Sequence, residues 1–363
     1  MEIFCRSAGM VELQINGALG KSFNQLTLDD LDLLRQICKF LWEKGIDGFL
    51  PTLVTTSIKH TQAALEAIAS YLKQPQSPKT AQILGIHLEG PFLHPDRRGA
   101  HPKEHLLPLT LKNLQTVLGD YAHLVKLVTL APELDPSGAA ILYLINLGIK
   151  VSLGHSTASE AIAKQAFSLG ASMITHAFNA MPPLLHRQPG ILGEALTNNQ
   201  VWCGAIADGV HLHPKIVEIL YRLKGDRLIL VSDALAPIGL AEGNYAWDQR
   251  QMSISQGTAR LGDGTLCGTT LPLVECVKNL VKWQICELEQ AIALVTDSPR
   301  QFLGLDMIQG LASAKSLDWS YDSSKGITCS RSLDLVVDLA VPLSGSSRVG
   351  AIAKGTTSKD SEV

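Results

Sequence analysis

Short apolar runs alternate with helical patterns between residues 11 and 231. Eight of these runs are rich in strand-forming residues, and they span 11–15, 48–54, 83–88, 124–130, 149–153, 172–177, 201–207 and 228–231. Between them, apolar residues recur every three or four positions, which predicts helices at 28–44, 58–72, 139–147 and 160–169. Strands that alternate with helices form βαβ units, and eight such units predict an α/β protein with a (β/α)8 TIM barrel rather than an open doubly wound sheet.

The alternation fades after residue 231. The stretch 244–270 has the pattern of a β-meander, with turn signals at 256–257 and 262–264, and two helices are predicted at 273–281 and 288–296. No GxGxxG motif follows the first strand, which counts against a dinucleotide-binding fold. From residue 311 the chain is rich in serine and glycine with one strand-like run, 333–337, and we expect its end to be disordered.

The amino-acid composition limits the kinds of molecule that we expect this protein to bind. Of the 363 residues 46% are hydrophobic and 18% are charged, and the net charge of -3 gives no reason to expect nucleic acid or an anionic membrane surface as a partner. The seven cysteines contain no CxxC pair, which favours reduced thiols over disulfides or a cysteine-based zinc site. No signal-peptide pattern opens the sequence and no apolar run is long enough to span a bilayer, so we predict a cytoplasmic protein.

Polar residues follow six of the eight predicted strands. They are Gln14 and Asn16, Glu89, His155, His176, Asp208 and His211, and Asp233. Because the active site of such a barrel lies at the carboxyl ends of its strands, we expect these side chains to converge. The segment 85–101, GIHLEGPFLHPDRRGAH, holds Glu89 together with three histidines, of which His87 and His94 are structural candidates.

One carboxylate and two imidazoles in this set have the chemistry of a catalytic metal site. Glu89, His155 and His176 would supply three ligands and leave an open position for water. Zinc is the default occupant of such a site, and iron, cobalt and manganese are alternatives. A metal lowers the pKa of its bound water to about 7. Asp233 would then serve as general base towards the water and as general acid towards a leaving amine.

Each of these residues also has an ordinary structural interpretation. A single histidine at a strand end is more often hydrogen-bonded than metal-bound, and an aspartate in Ser-Asp-Ala is usually a cap. Four such residues at four separate strand ends favour a site over coincidence. The remaining histidines that we considered, His60, His105, His123 and His213, show no convergence and are interpreted as surface or structural residues.

Six motifs carry a family resemblance. GIHLEGPF, RRGAH, SLGHS, THAFNAM, DGVH and LVSDA follow one another in a chain that resembles the N-acetylglucosamine-6-phosphate deacetylases of the amidohydrolase superfamily from about residue 9 to residue 304. The resemblance implies a barrel of the metal-dependent hydrolase type with a small β-sandwich accessory domain. It also implies hydrolysis of N-acetylglucosamine 6-phosphate to glucosamine 6-phosphate and acetate in amino-sugar catabolism, and a homodimer.

The resemblance assigns roles to individual residues. It implies a metal held by Glu89, His155 and His176, with Asp233 as the catalytic acid and base. The substrate, a phosphorylated amino sugar, would be contacted by Ala100 and His101 at the sugar and its N-acetyl group, by Asn179, Ala180, Arg187 and His211 around the phosphate, and by Leu266, Cys267 and Gly268, which would close over it. Arginine and histidine are suitable donors for a phosphate dianion.

The first predicted strand ends differently from that of many amidohydrolases. Those proteins carry His-x-His there as ligands of a second metal, whereas this chain has Gln14 and Asn16, as in one branch of the deacetylases. The pair is interpreted as a vestige of the second-metal position. We therefore predict one divalent metal ion per chain.

The chain departs from the family pattern at both ends. Its Ala8–Leu13 segment matches the start of the family's barrel, so the strands that normally begin the β-sandwich are expected to be absent, and only 333–337 echoes the family's closing strand. We predict a barrel with C-terminal helices at 9–310, a remnant of the small β domain at 311–345 and a disordered tail at 346–363. Gln188 also replaces the glutamate that usually follows the arginine corresponding to Arg187.

Two alternatives remain open from the sequence. The first is a related amidohydrolase that acts on another N-acyl amino sugar or on a cyclic amide, for which the phosphate would be dispensable. The second is a non-catalytic relic that binds a sugar phosphate, which the shortened accessory domain suggests.

Overall fold

Eight parallel strands, linked mainly by helices, curl into a barrel in the computed structural model, which describes residues 3–305, 316–322 and 326–331. The strands are β1 Ile3–Ser7, β2 Met10–Ile15, β3 Gly17–Ala18, β4 Lys21–Ser22, β5 Ile46–Val54, β6 Gln82–Ile83, β7 Ile86–Glu89, β8 Val125–Leu130, β9 Lys150–Leu153, β10 Met173–Ile174, β11 Trp202–Ala205, β12 Leu228–Leu230, β13 Gly243–Trp247, β14 Arg250–Ser255, β15 Thr258–Leu261, β16 Leu266–Thr269, β17 Leu317–Asp322 and β18 Gly326–Arg331. The helices are α1 Leu31–Glu43, α2 Ile58–Leu72, α3 Leu111–Leu118, α4 Ala139–Asn146, α5 Glu160–Ser168, α6 Gly190–Thr197, α7 Pro214–Lys224, α8 Val274–Lys282, α9 Leu288–Ala293 and α10 Asp297–Leu303.

The barrel sheet follows chain order. β2, β5, β7, β8, β9, β10, β11 and β12 pair in that sequence, and each neighbouring pair is parallel. The first and last strands meet just beyond their carboxyl ends, where the N–H of Asn16 donates to the Ala234 carbonyl at 2.7 Å and the N–H of Asp233 donates to the Gln14 carbonyl at 3.0 Å. The predicted (β/α)8 barrel is confirmed.

The barrel interior changes from apolar to polar along its axis. A cluster that includes Val11, Leu127 and Ile229 joins residues from strands on several sides of the barrel, so it fills the interior, and Phe302 of α10 belongs to the same cluster. A hydrogen-bonded group of buried side chains lies nearer the site, in which His87 contacts Thr129 at 2.8 Å and the chain of contacts continues through Thr175 and Ser152. This arrangement agrees with the structural role expected for His87.

The predicted meander forms a four-stranded antiparallel sheet, β13–β16, which we call the meander sheet. Its last strand is bonded to the segment that follows β12, because the N–H of Thr269 donates to the Asp233 carbonyl at 3.1 Å and the N–H of Leu235 donates to the Thr269 carbonyl at 2.8 Å. The meander sheet is therefore attached at the carboxyl end of the barrel, where the candidate site residues lie.

Both ends of the described chain meet in a second small sheet. β1 pairs with β17, and β17 pairs with β18, all antiparallel. Arg6 lies 2.7 Å from Asp318 across this sheet, and Trp319 is fully buried. The strand Ile3–Ser7 was not predicted, since the first strand predicted from the sequence begins at residue 11. Residues 306–315 and 332–363, which include the predicted strand at 333–337 and tail at 346–363, lie outside the described residues, and the domain boundaries remain a prediction.

Arg331 connects this small sheet to the barrel. Its Nη1 atom lies 2.5 Å from a carboxylate oxygen of Asp47, and its Nε donates to the Trp42 carbonyl at 2.9 Å. All seven cysteines are free thiols. Among the described helices, none has both the length and the apolar character that a membrane crossing needs.

Candidate active site

Three buried side chains meet at the carboxyl end of the barrel. Glu89 is the last residue of β7, while His155 and His176 each follow a barrel strand by two residues. The Nε2 atoms of both histidines lie 3.0 Å from Oε1 of Glu89 and 3.0 Å from each other. The predicted ligand set is therefore brought to one point.

The chemistry of this cluster fits a divalent metal ion. The Nδ1 atom of His155 is 2.9 Å from the backbone carbonyl of Arg97, and because a carbonyl only accepts, Nδ1 carries the proton and Nε2 of the neutral ring carries a lone pair. Two imidazole nitrogens and a carboxylate oxygen are a common set of transition-metal ligands. In the part of the chain that the structure describes, these residues are the one group of histidine, cysteine or acidic side chains able to hold a metal.

The electrostatics of the cluster favour the ionised carboxylate. Burial alone would raise the pKa of Glu89, but hydrogen bonds with His155 and His176 outweigh it and hold that pKa well below its usual range. An ionised carboxylate surrounded by imidazoles is the protonation state that binds a cation.

Three residues of the site have left-handed backbone conformations. The φ angles are 49° for His155, 28° for His176 and 47° for Asp233. Such conformations cost of order 1–3 kcal/mol at a non-glycine residue, and they occur preferentially at functional sites. Here each one turns the chain immediately after a barrel strand.

Asp233 follows β12 and is 8% exposed. Its Oδ1 atom accepts hydrogen bonds from Asn16 at 2.7 Å and from Gln14 at 3.3 Å. Burial, followed by the negative charge of Glu89, raises the pKa of Asp233. A carboxyl group with a raised pKa is suited to accept a proton and to return it.

Gln14 and Asn16 act as hydrogen-bond donors to acidic residues in this arrangement. Besides its bond to Asp233, the Nε2 atom of Gln14 donates to Oε2 of Glu89 at 3.2 Å. The Gln14 amide thus links the carboxylate of the ligand cluster to the candidate base, while Asn16 binds the candidate base alone. They occupy the place that the sequence analysis assigned to a vestige of a second metal position, and here they orient carboxylates.

His101 lies beside the same cluster, with its ring centroid 4.6 Å from that of His155. Its Nδ1 atom accepts the backbone N–H of Thr55 at 3.3 Å and lies 2.9 Å from the Thr55 hydroxyl. Its Nε2 atom lies 3.9 Å from Oε1 of Glu89. Burial, with the neighbouring His155, lowers the pKa of His101 to about 3, so the ring is neutral and its Nε2–H can donate a hydrogen bond.

These groups line one cavity of about 370 Å³. Twelve of the residues singled out in the sequence border it, and they are Asn16, Glu89, Ala100, His101, His155, His176, Asn179, Ala180, His211, Asp233, Leu266 and Cys267. The cavity is large enough for a small metabolite, and both polar side chains and residues of the meander sheet line it.

His211 is oriented by a neighbour that sequence reasoning left without a role. Its Nδ1 atom lies 2.7 Å from a carboxylate oxygen of Asp208, and Asp208 also accepts the backbone N–H groups of Val210 and His211, each at 2.8 Å. Burial opposes ionisation of Asp208, but these bonds prevail and lower its pKa. The DGVH motif could have predicted this contact, because the side chain of an aspartate three residues before a histidine can reach the imidazole ring.

Two predicted substrate residues do not line the cavity. Arg187 is exposed, within a loop whose residues 183–188 are all exposed. Gly268 lies behind the cavity wall, where a Cβ atom would come within 2.5 Å of the Asp233 carbonyl oxygen, and its φ of +140° also favours glycine. Gly268 therefore allows the meander sheet to approach the backbone of Asp233.

Other contributors had no recognisable sequence signal. Thr55, which fixes the His101 ring, is an ordinary residue after β5. Trp247 of β13 lines the cavity and is separated from the ligand cluster by more than 70 positions along the chain. Glu133 accepts hydrogen bonds from the Ser156 hydroxyl at 2.7 Å and from the Thr157 N–H at 2.6 Å, which holds the segment after His155 in place.

Known proteins resemble this chain over most of its length. Residues 7–311 match the model of the amidohydrolase family. The N-acetylglucosamine-6-phosphate deacetylase of Bos taurus is 37% identical over 324 residues, which cover 87% of this chain and 77% of that protein. The N-acetylgalactosamine-6-phosphate deacetylase of Escherichia coli O157:H7 is 31% identical over 310 residues, 85% of this chain and 80% of that protein.

The fold agrees with that of a solved relative. The crystal structure of N-acetylglucosamine-6-phosphate deacetylase from Pasteurella multocida superposes with a TM-score of 0.79 at 29% identity, and the match covers 89% of this chain and 83% of that one. The barrel, the cluster of Glu89, His155 and His176, and the family match over 7–311 agree with one another. The chain belongs to the amidohydrolase family.

Proposed function

We propose that this chain hydrolyses the N-acetyl group of N-acetylglucosamine 6-phosphate to give glucosamine 6-phosphate and acetate. The observation that carries the proposal is that the ligand cluster, Asp233 and His101 border one cavity in a chain whose relatives bear that activity in their names. The cavity of about 370 Å³ is of a size that suits a hexosamine phosphate. The free thiols fit a reducing compartment, so we place the reaction in the cytoplasm.

Glu89, His155 and His176 would hold one divalent metal, for which zinc is the proposed ion. When bound, the metal would polarise the acetamide carbonyl and lower the pKa of a water molecule. The hydrogen bond from His155 to the Arg97 carbonyl keeps that ring in the tautomer that binds a metal through Nε2. Gln14 holds Oε2 of Glu89 and leaves Oε1 directed at the two imidazoles.

Asp233 would move the proton. Its Oδ1 atom is occupied by the amides of Asn16 and Gln14, so Oδ2 is the oxygen available to accept a proton from the attacking water. The same oxygen would return the proton to the amine nitrogen as the C–N bond breaks. The raised pKa of Asp233 suits both steps, because burial and the charge of Glu89 make the carboxylate a better proton acceptor.

His101 would stabilise the oxyanion that develops on the acetamide. Its Nε2–H is directed into the cavity, since Nδ1 is taken by Thr55. A donor that is positioned before the reaction starts stabilises the oxyanion more than a water molecule at the same place, because the donor does not have to reorient. The ring is neutral owing to its lowered pKa, so it donates a hydrogen bond without carrying a positive charge.

The remaining cavity residues would bind the sugar and its phosphate. His211, fixed by Asp208, and the segment Asn179–Ala180 are proposed for the phosphate, while Ala100, Leu266 and Cys267 are proposed for the sugar and acetyl group. Gly268 would support this wall from behind.

The exposed position of Arg187 suits an interface of the proposed homodimer. Arg187 is exposed beside Leu184 and Leu185, which are 45% and 48% exposed. An apolar rim of this kind suits contact with a second copy of the chain, and we retain Arg187 as a proposed phosphate residue within such a dimer. A sedimentation measurement of Arg187→Ala and wild type would separate loss of phosphate affinity from loss of the dimer.

Phosphate dependence tests the substrate assignment. Acetate release should be fast with N-acetylglucosamine 6-phosphate and at least about 100-fold slower in kcat/KM with unphosphorylated N-acetylglucosamine, since His211 and Arg187 would then lack their partner. Undiminished activity on the unphosphorylated sugar would favour the alternative of a different N-acyl substrate. Tight binding of the sugar phosphate with full metal content and no acetate release would favour the non-catalytic relic.

The Escherichia coli relative raises a second candidate, N-acetylgalactosamine 6-phosphate. The two sugars differ only in the configuration of one hydroxyl group, and the chemistry proposed for Asp233 and His101 is the same for both. The ratio of kcat/KM for the two sugar phosphates decides between them.

A further inference from the structure

Two donors from the meander sheet converge on a single carbonyl oxygen in the loop that carries His101. The Nη2 atom of Arg250 donates to the Ala100 carbonyl at 2.6 Å, and Nε1 of Trp247 donates to the same oxygen at 3.3 Å. Both donors lie about 150 positions from Ala100 along the chain. The carbonyl that immediately precedes His101 is thus held by a separate part of the fold.

The Arg250 side chain is itself fixed. Its Nε lies 3.0 Å from Oδ1 of Asp248, and its Nη2 lies 2.6 Å from Oδ2 of the same carboxylate. A guanidinium held by a carboxylate in this two-point manner has a defined direction. Ala100 is also held through its side chain, which is buried in one apolar cluster with Met252 and Ile254 of β14.

Fixing this carbonyl constrains His101 directly. The carbonyl of Ala100 and the N–H of His101 belong to one planar peptide group, so a bond that orients the first orients the second. On the far side of the residue, Arg98 donates to the His101 carbonyl at 2.8 Å. The backbone of His101 is therefore held before and after its Cα, while Thr55 fixes the tautomer of the ring.

We infer that Arg250 is a positioning residue for the reaction: acting from the meander sheet through the Ala100 carbonyl, it sets the position of the His101 Nε2–H. Trp247 has the same role with a longer bond. The inference rests on the proposed function, in which His101 donates to the developing oxyanion. The meander sheet then contributes to catalysis from a distance, besides forming a wall of the cavity.

A purely structural role for Arg250 predicts an unchanged kcat in a variant that lacks the guanidinium, whereas a positioning role predicts a lower kcat. The side chain is 37% exposed and its ion pair with Asp248 lies near the surface, so its contribution to stability is small. Loss of a positioning residue lowers kcat, because the oxyanion contact strengthens in the transition state, and it leaves KM nearly unchanged. A small displacement of a catalytic donor costs up to about 100-fold in rate.

The test compares Arg250→Met with Arg260→Met. Arg260 lies on the neighbouring strand of the same sheet and donates to the Gly264 carbonyl at 3.1 Å in its own hairpin, so it is a matched control. We expect kcat of Arg250→Met to fall about 10- to 100-fold with KM changed less than about threefold, and Arg260→Met to behave as wild type. Trp247→Phe, which keeps an aromatic ring but loses the indole N–H, should show a smaller fall in kcat.

A double-mutant cycle with His101→Asn makes the test specific. If Arg250 acts through His101, adding Arg250→Met to His101→Asn should lower kcat less than about twofold further. Multiplicative losses in the double variant, an unchanged kcat in Arg250→Met, or an equal loss in Arg260→Met would each overturn the inference.

A spectroscopic measurement separates this inference from the proposed function. The ring ¹H–¹⁵N signals of His101, assigned by their absence in His101→Asn, should shift in the metal-loaded Arg250→Met protein and not in Arg260→Met. If wild type releases no acetate, the proposed function fails, and these signals alone decide whether Arg250 positions His101. If wild type is active and the signals do not move, only the inference fails.

Discussion

Nδ1 of His101 accepts the backbone N–H of Thr55 at 3.3 Å, and this bond places the proton of the neutral imidazole on Nε2. That nitrogen lies 3.9 Å from the Oε1 atom of Glu89, on which His155 and His176 of the candidate metal site also converge. A main-chain donor cannot change its role as a hydroxyl can, so the tautomer is set by the fold. His101 therefore enters the cavity as a hydrogen-bond donor.

Replacing His101 should affect the rate far more than metal binding. We expect His101→Asn to lower kcat by about 10²- to 10³-fold, the usual effect of losing one oxyanion donor, with metal content equal to that of wild type. Steady-state kinetics and metal analysis on the same preparations check this. His105→Asn, a change at a neighbouring 3-10 turn outside the cavity lining, serves as the control. A His101→Asn protein that lost its metal would instead point to a ligand role.

Removing one imidazole of the cluster should remove the metal. His176→Ala leaves two of three ligands, so we expect metal content to fall from about one ion per chain to well below it, and activity to fall with it. His123→Ala changes an exposed histidine and should retain the metal. Full metal occupancy in His176→Ala, measured after dialysis against a chelator and reloading, would mean that the ion is bound elsewhere.

Gly268 should tolerate no side chain. A Cβ atom there would meet the Asp233 carbonyl oxygen at 2.5 Å, with φ at +140°, so we expect Gly268→Ala to destabilise the protein by about 1–3 kcal/mol and to lower kcat by displacing Asp233. Gly262→Ala in the same meander sheet has open space around its Cβ and should leave both quantities unchanged. Thermal unfolding and acetate release are the measurements. Equal stability and rates for the two variants would show that a side chain at position 268 does not displace Asp233.

The buried carboxyl of Glu12 should make stability depend on pH. Its two oxygens accept the N–H groups of Gln14 at 3.1 Å and Ser232 at 3.0 Å, and burial raises its pKa to about 8 from an ordinary value of 4.5. Between these values the folded state binds a proton that the unfolded state has lost. The free energy of unfolding therefore falls as pH rises from about 5 to 8.

Urea unfolding at pH 5 and pH 8 tests this assignment. Glu12→Gln should lose much of the difference in unfolding free energy between the two pH values, even if it is less stable at both, because it cannot titrate. Glu66→Gln, a change at an exposed position of α2, should keep the wild-type difference. An unchanged difference in Glu12→Gln would show that Glu12 is ionised throughout this range.

The barrel was predictable because its pattern is local. Each buried strand is a short apolar run and each following helix repeats apolar residues with the helical period, as at α2, whose predicted limits of 58–72 agree with Ile58–Leu72. β1 was missed because its partner is far away in the chain. Arg6 and Asp318 make that strand recognisable only when they are seen opposite each other.

The candidate site likewise contains residues that could be predicted from the sequence and residues that could not. Glu89, His155, His176 and Asp233 were predictable because the carboxyl ends of parallel strands meet at one face, so position along the chain was enough. Thr55 and Arg250 act through backbone groups of other segments, and their residue types carry no signal of that role. Arg187 shows the converse, because a motif pointed to it while the single chain places it at an exposed position away from the cavity.

Acetate release measured together with metal content tests the central claim most directly. Wild type and Asp233→Asn should both hold about one divalent metal ion per chain. Wild type should release one acetate for each N-acetylglucosamine 6-phosphate consumed, whereas Asp233→Asn should be slower by about 10²- to 10⁴-fold, the range for loss of a general acid-base group. Near-normal turnover in metal-loaded Asp233→Asn, or no acetate from metal-loaded wild type, would contradict the account.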